Sequence, residues 1–394
     1  MRNLLPPAPW TRRASISALV QALDPAEEGN CRFVGGAVRD TLLGLPVKDI
    51  DMATRLLPEE TMARLQAAGI KAVPTGLAHG TVTAVLADGP VEITTLRKDV
   101  ETDGRHAVVE FAQDWQDDAA RRDFTINALY ADPRTLQVHD WFGGLDDLKA
   151  RRVRFIGDAE QRIREDYLRI LRYFRFQARF GSIPADAEAE AAVSALAAGL
   201  KGLSRERIAG ELLNLLGLPD PAPTIARMAE LGVLAQVLPE ADPAPLAALV
   251  AAEVREGVAG DAVRRMAAIL PADPATAEQV AARLRLSTAQ RKRMASAAGR
   301  SADASTDPRA MVYRIGREEA LDRLLLTNRA TAALQGWEPP RFPLKGGDVV
   351  ARGVSAGPDV ARTLRRVEDG WIAAGFDDAA IPALLDQALA QLTA

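Results

Sequence analysis

The apolar periodicity changes character near residue 150, and that change constrains the fold more than any other feature of the chain. Up to that point, short runs of strand character stand between helical stretches. One of them, Gly80-Thr-Val-Thr-Ala-Val-Leu86, is followed by Asp88-Gly89 and then by Val91-Glu92-Ile93-Thr94-Thr95, the pattern of a β-hairpin. Beyond about residue 155 the spacing is almost entirely helical, with Pro- and Gly-containing breaks at 217–223, 238–245, 270–274, 301–308 and 337–343. A chain of 394 residues holds more than one folding unit. The expectation is an α+β protein: a mixed sheet with helices over 1–150, then all-α segments over 151–218, 219–300 and 301–394. Abundant alanine beyond residue 185 favours closely packed helices there.

Within the first segment, Gly35-Gly36-Ala-Val-Arg39-Asp40 is followed nine residues on by Asp49-Ile50-Asp51. On a strand, alternate side chains share a face, so Asp49 and Asp51 would point at one spot while Ile50 and Met52 pack the other face. Converging carboxylate oxygens suit Mg²⁺, and Mg²⁺ suits phosphoryl and nucleotidyl transfer. Taken by itself, Asp-x-Asp is more often a solvated acidic turn. The neighbours add weight. Gly35 and Gly36 let backbone approach a phosphate, the helix that follows would aim its first N–H groups there, and Arg39 supplies a planar positive fork.

The run from Phe33 to Thr54, Phe-Val-Gly-Gly-Ala-Val-Arg-Asp-Thr-Leu-Leu-Gly-Leu-Pro-Val-Lys-Asp-Ile-Asp-Met-Ala-Thr, closely resembles the signature of class II tRNA nucleotidyltransferases and their bacterial poly(A) polymerase relatives. These belong to the polymerase β-like nucleotidyltransferase superfamily. The resemblance implies a nucleotidyltransferase head over 1–150, a helical neck carrying a base-selecting template over 151–218, a body over 219–300 and an RNA-binding tail over 301–394. It also implies that Asp49, Asp51 and a third carboxylate on a nearby strand hold two Mg²⁺ ions and are catalytic. Glu92, between Val91 and Ile93, faces away from both and takes the third place. Gly35, Gly36 and Arg39 would then position the triphosphate.

Arg121-Arg122-Asp123-Phe-Thr-Ile-Asn127 reads alone as a helix start with a charged first turn, yet it matches the family's ribose-recognition motif. Asp123 and Asn127 are spaced to share a helix face. The resemblance implies that they meet ribose hydroxyls and that Arg122 meets the nucleotide's phosphate or ribose.

The third block runs from Arg162 to Phe176. Its apolar positions 163, 167, 170, 171 and 174 follow helical spacing, and arginines 162, 169, 172, 175 and 179 wrap around it. Residues 149–179 hold ten Lys/Arg and four Asp/Glu, a local excess of six positive charges. By composition this is a solvated amphipathic helix. By resemblance, Glu165-Asp166-x-x-Arg169 is the amino-acid template, with Arg172 and Arg175 also in the nucleotide-binding set. An Asp acceptor beside an Arg donor fork pairs with cytosine and with adenine, whereas uracil and guanine present the wrong pattern. Each mismatched buried polar group costs roughly 1–3 kcal/mol. Glu165 is expected to orient Arg169 rather than meet the base. In Leu203-Ser204-Arg-Glu-Arg207-Ile208, Ser204 reads as a helix N-cap and Leu203 with Ile208 as a hydrophobic staple, a purely structural assignment.

Residues 97–111 are polar and lack regular periodicity, resembling the flexible loop that switches such enzymes from C to A. Asp140-Trp-Phe-Gly-Gly-Leu-Asp-Asp-Leu148 resembles the hinge between head and neck. The net charge of −4 does not oppose RNA binding, because phosphate attraction depends on local clusters. Arg362, Arg365 and Arg366 are the tail residues expected to meet RNA. The Gly357-Pro358 pair there starts a helix facing phosphate or is a plain packing turn.

A single cysteine, Cys31, excludes an internal disulfide framework and fits a reducing cytoplasm. No run of ~20 apolar residues is present, so neither secretion nor membrane insertion is expected. With only three histidines, a His/Asp phosphohydrolase domain is not encoded.

The reading that follows is a template-independent enzyme that adds C, C and A to the tRNA 3′ end from CTP and ATP. The alternatives are an A-adding enzyme, a poly(A) polymerase, or a catalytically inactive RNA-binding protein. The stretch Thr75-Gly-Leu-Ala-His-Gly80 lacks the basic residues that poly(A) polymerases carry before the hairpin, which favours CCA addition.

Overall fold

The computed structural model describes residues 3–103, 106–300 and 306–392, with the backbone alone at 99–103 and 106–109. The chain divides into two compact units, Met1–Pro239 and Glu240–Ala394.

The first unit is built on a mixed sheet. In chain order its elements are α1 (Ala14–Leu23), β1 (Cys31–Val34), α2 (Gly36–Leu42), β2 (Ile50–Thr54), α3 (Pro58–Ala67), β3 (Lys71–Gly76), β4 (Thr81–Leu86) and β5 (Gly89–Thr95). There follow β6 (Arg97–Asp103), β7 (His106–Phe111), α4 (Trp115–Ala120), β8 (Tyr130–Ala131), β9 (Val138–His139) and α5 (Gly144–Lys149). Seven strands hydrogen-bond in the order β3-β4-β5-β2-β1-β8-β9. The expected hairpin is β4–β5, closed by a two-residue turn between the paired Leu86 and Gly89. Only β2 and β5 are parallel, and parallel neighbours need a crossover, here α3 with the β3–β4 pair.

Alternation fixes the faces. Val91 and Ile93 of β5 are 1 % exposed while Glu92 between them faces solvent. Phe33 pairs with Met52, and both are buried on the opposite face from Asp51. On the Asp51 face a cluster of Val34, Ala53, Leu96, Trp115 and Tyr130 forms the core beneath the site.

Residues 97–103 and 106–111, expected to lack regular structure, are strands. Their backbone forms an antiparallel ribbon, β6–β7, whose register shifts between Asp99 and Glu101 so that two β6 residues oppose one of β7. A bulge of this kind breaks period-two alternation, which hid the strands from a pattern reading. Gly104 and Arg105 of this segment lie outside the described residues.

The rest of the first unit is helical: α6 (Ala159–Glu165), α7 (Leu168–Phe180), α8 (Ala187–Ala195), α9 (Arg205–Leu216), α10 (Ala222–Glu230) and α11 (Leu234–Val237). The single helix expected over 162–176 is therefore two. Asp166 is extended, at φ −153° and ψ 104°, and its Oδ1 accepts the Leu168 N–H at 3.1 Å. An aspartate that bonds local backbone competes with helix continuation. The Tyr167 ring fills the space beside Gly199, where a Cβ would lie 1.9 Å from it. Ile163, Ile170, Leu171 and Phe174 remain buried on both sides of the break, so the apolar spacing carried through it.

The second unit is helical throughout its described residues: α12 (Ala244–Arg255), α13 (Ala262–Ala268), α14 (Pro274–Arg283), α15 (Thr288–Ala298), α16 (Pro308–Ile315), α17 (Arg317–Leu326), α18 (Gly346–Val350), α19 (Pro358–Ala373) and α20 (Ile381–Ala390). The Pro/Gly breaks separate these helices, although 301–305 lie outside the described residues. Its C-terminal core gathers around Trp371, which is fully buried with Val349, Val367 and Leu385. No helix among the described residues is long and apolar enough to cross a membrane.

Candidate active site

Glu92 and Asp51 are direct partners across the parallel β2–β5 pair, so both side chains rise from the same face. Neither has an ion pair or hydrogen bond among the described residues. Burial, then the Glu92 charge and also that of Asp49, push the Asp51 pKa up, against an opposing effect of Arg122. Asp49 stands just before β2 and is exposed. The expected strand alternation thus reaches Asp51 but not Asp49. Among the described residues no three carboxylate, imidazole or thiolate groups stand close enough to hold a metal ion by themselves. Of the three carboxylates expected to hold Mg²⁺, Asp51 and Glu92 stand as an in-register pair and Asp49 lies just before the strand.

Gly35 ends β1 at φ +66°, a left-handed conformation that favours glycine, and its N–H donates to the Leu129 carbonyl at 3.0 Å. A Cβ at Gly35 would come 3.4 Å from Nη1 of Arg122. Arg122 therefore lies over the glycine turn. Its Nε donates to the Tyr130 hydroxyl at 2.9 Å and its Nη2 to Asp118 Oδ2 at 3.2 Å.

Sequence reasoning missed Asp118. It is 1 % exposed, and it also accepts from Arg121 Nε at 2.9 Å and from the Arg97 backbone N–H at 3.2 Å. Burial works against its ionised form, but Arg122 and Arg121 beside it, with the Tyr130 hydroxyl, outweigh that and bring its pKa down to about 2. Its spacing of three and four residues before two arginines was a legible signal.

Arg39 does not offer the open fork the sequence suggested. It is 6 % exposed, its Nε donates to Asp40 Oδ1 at 2.8 Å, its Nη1 donates to Asn127 Oδ1, and its guanidinium lies 4.2 Å over the Phe180 ring. Burial lowers its pKa. Its Nη2 lies beside the glycine pair, 3.6 Å from where a Cβ on Gly36 would stand.

Asp123 and Asn127 do meet, with Asn127 Nδ2 donating to Asp123 Oδ1 at 3.0 Å. They do so across a 3₁₀ turn, Thr125–Asn127, and not on an α-helix face. The reason is that this segment is pinned like a strand: Phe124 bridges to Phe155, and the Thr125 N–H donates to the Arg154 carbonyl. Asp123 Oδ2 accepts from Arg172 Nε at 2.8 Å, and Arg172 and Arg175 both reach Glu211, at 3.8 and 2.6 Å. A continuous polar chain thus runs Asp40–Arg39–Asn127–Asp123–Arg172–Glu211–Arg175, joining the sheet to α7 and α9. Within it Arg172 and Arg175 are committed to carboxylates. Glu211 had no role in the sequence reading.

At the break between α6 and α7, Glu165 Oε2 accepts from Arg162 and Arg169 Nη1, both at 2.5 Å, so Glu165 does orient Arg169. Asp166 Oδ2 accepts from Arg207 Nη2 at 2.6 Å. Ser204 caps α9 through the Arg207 N–H as expected. The same block brings Arg207 to Asp166. Arg362, Arg365 and Arg366 are exposed on α19, Arg362 paired with Asp359.

A left-handed glycine turn, an arginine over it and paired carboxylates on adjacent strands give the sheet region of the first unit the character of a nucleotidyltransferase head. Residues 31–154 match the Poly A polymerase head domain, and residues 186–244 match the probable RNA- and SrmB-binding site of polymerase A. The chain is 37 % identical over 358 residues to mitochondrial CCA tRNA nucleotidyltransferase 1 of Danio rerio, covering 86 % of this chain and 83 % of that protein. The Homo sapiens counterpart is 35 % identical, covering 89 % and 84 %. The chain also superposes on the Bacillus stearothermophilus CCA-adding enzyme in complex with CTP, with a TM-score of 0.72, 26 % identity and coverage of 97 % and 99 %. The chain belongs to the family of CCA tRNA nucleotidyltransferases, whose head domain is that of poly(A) polymerases.

Proposed function

We propose that this enzyme adds C, C and A to the 3′ end of tRNA from CTP and ATP, releasing pyrophosphate. The observation that carries the reading is the Asp51–Glu92 pair, in register on adjacent strands, without an ion pair among the described residues and beside the Gly35 turn. The donor set fits Mg²⁺: hard carboxylate oxygens, few in number, with space for water and substrate phosphate to complete the shell. Asp51 and Glu92 would hold the ions, with Asp49 joining them once the charge is compensated. Bound there, Mg²⁺ supplies Lewis acidity for the primer 3′-hydroxyl and charge compensation for the triphosphate.

The protein's own groups do the rest. Gly35 and Gly36 admit the triphosphate closely, and Arg122 Nη1 meets its charge. Asp123 and Asn127 line the ribose side, held by Arg39 and Arg172. Asp166 accepts from the amino group of cytosine or adenine, its oxygens having lone pairs to share with Arg207, and Arg169 donates to the ring acceptors under the control of Glu165. A nucleobase with the reversed donor pattern leaves these groups unpaired. Arg362, Arg365 and Arg366 would meet the RNA backbone, within the proposed division into head (1–150), neck (151–218), body (219–300) and tail (301–394). The lone Cys31, buried with its thiol pKa pushed up to about 12, fits the reducing cytoplasm we assign to the enzyme.

The test supplies a tRNA lacking its 3′ end with Mg²⁺ and CTP, ATP or both, and sizes products at single-nucleotide resolution. Two C followed by one A, stopping there, supports the proposal. Long A tails would make it a poly(A) polymerase, extension only of tRNA ending in CC an A-adding enzyme, and no incorporation an RNA-binding protein.

A further inference from the structure

Asp118 lies on α4, outside the residues proposed to touch nucleotide, yet its bonds converge on one that does. Its carboxylate is buried and fully occupied. Oδ1 accepts from the Arg97 N–H and from Arg121, and Oδ2 from Arg122 Nη2 and the Tyr130 hydroxyl. Tyr130 uses the same hydroxyl oxygen to accept from Arg122 Nε. Two of the three nitrogens of the Arg122 guanidinium are therefore fixed from one side. The third, Nη1, has no hydrogen bond among the described residues and is the atom over Gly35. A planar fork held on two nitrogens has little freedom left at the third, which is how a positioning carboxylate acts through an arginine. Oδ1 reaches in another direction. Arg97 is the first residue of β6, and its neighbour Leu96 takes the Ala112 N–H across the root of the ribbon.

We propose that Asp118 is a positioning residue for nucleotide binding: it sets Arg122 over the glycine turn and couples that setting to the root of the β6–β7 ribbon. The proposal rests on the nucleotidyltransferase reading above. It separates Asp118 from a residue that merely caps or packs α4. A packing residue, when changed, lowers stability and affects every substrate alike, whereas a positioning residue for Arg122 affects the nucleotide and spares the RNA.

The experiment compares wild type, Asp118→Asn and Tyr130→Phe. Asn keeps the shape and removes the charge that holds two arginines. Phe removes only the hydroxyl relay to Arg122 and keeps the ring, which guards against a misfolded first variant. CTP and ATP affinities are measured calorimetrically on the protein without RNA, and KM for CTP, ATP and tRNA in steady state. For Asp118→Asn we expect both nucleotide affinities to fall about tenfold, with nucleotide KM rising in parallel and KM for tRNA unchanged within about twofold. Tyr130→Phe should move the same quantities in the same direction by about threefold. Equal rises in KM for nucleotide and tRNA, or unchanged nucleotide affinity alongside a lowered melting temperature, would overturn the proposal. Absence of turnover in wild type would instead remove the functional reading, and the calorimetric comparison would still decide the role of Asp118.

Discussion

Asp51 and Glu92 stand side by side on neighbouring strands with no guanidinium bonded to either among the described residues, whereas Glu253 and Asp322 in the helical second unit meet Arg264, Arg265 and Arg293 at 2.7–3.3 Å. Both pairs are placed by regular secondary structure. The second is the more deeply buried, at 1 % and 0 % exposed, and it is the one that is neutralised. A buried charge persists only with partners, and the ion network of α12, α13, α15 and α17 supplies them from within the protein itself. The strand pair is partly open to water, and burial of Asp51, followed by the charge of Glu92, raises the Asp51 pKa. Carboxylates that a fold leaves without a cation at a cleft mark where a cation from outside is wanted; carboxylates the fold neutralises mark structure.

The sharpest way to break this contrast is to remove a charge from each cluster. Asp51→Asn should lower single-turnover nucleotide incorporation by about 10³-fold or more, because a metal-borne stabilisation of several kcal/mol is lost. Its melting temperature should hold or rise, since a repelling charge has gone. Normal incorporation by that variant would sink the comparison. Asp322→Ala should do the converse. It removes the buried carboxylate that Arg264 and Arg293 share, leaving Arg264 with Glu253 and Arg293 with Asp261 and Glu318, and should cost about 3 kcal/mol in urea unfolding, while incorporation well below the transition stays near wild type.

A smaller effect follows from Asp118, a carboxylate of the head that is both buried and neutralised. Its pKa of about 2 lies below the ordinary 3.8. A depressed folded-state pKa contributes stability above the unfolded value and loses it as pH falls through the folded one. Between about pH 4 and pH 2, wild type should therefore lose about 2 kcal/mol more than Asp118→Asn. Urea unfolding of both proteins at pH 5 and pH 2.5 measures the difference, and parallel losses would contradict the assignment.

Much of this was legible in the sequence. The β4–β5 hairpin, the strand placing Asp51, the helical breaks at proline and glycine, and the grouping of Glu165 with Arg169 follow from local pattern. Three things were not. The β6–β7 ribbon was hidden by a bulge that shifts alternation. The break at Asp166 was hidden because apolar spacing continues across it, the interruption coming from a side chain bonding the Leu168 N–H. The occupation of Arg172 and Arg175 by carboxylates was hidden because Asp123 and Glu211 are brought to them by tertiary packing, which residue spacing does not report, and the same holds for the Asn127 and Phe180 that enclose Arg39 beside its chain neighbour Asp40. Motifs named the right neighbourhood; which arginine remains open to a ligand was decided by what the fold places against it.

The basic patch of the tail offers the smallest effect and the finest test of the same rule. Arg362 is tied to Asp359, while Arg365 and Arg366, a little further along α19, are exposed and have no ion pair among the described residues. If an uncompensated charge marks a ligand, Arg365 and Arg366 should carry more RNA affinity than Arg362. A single phosphate contact lowers the slope of log K against log salt by about one unit when removed. Arg365→Ala and Arg366→Ala should each weaken tRNA binding by about threefold at moderate salt and reduce that slope by roughly one, whereas Arg362→Ala should do less than half as much because Asp359 already offsets its charge. Salt titrations of tRNA binding by the three variants give the ordering directly. If Arg362→Ala produced the largest change, pairing in the free protein would be no guide to which arginines meet RNA.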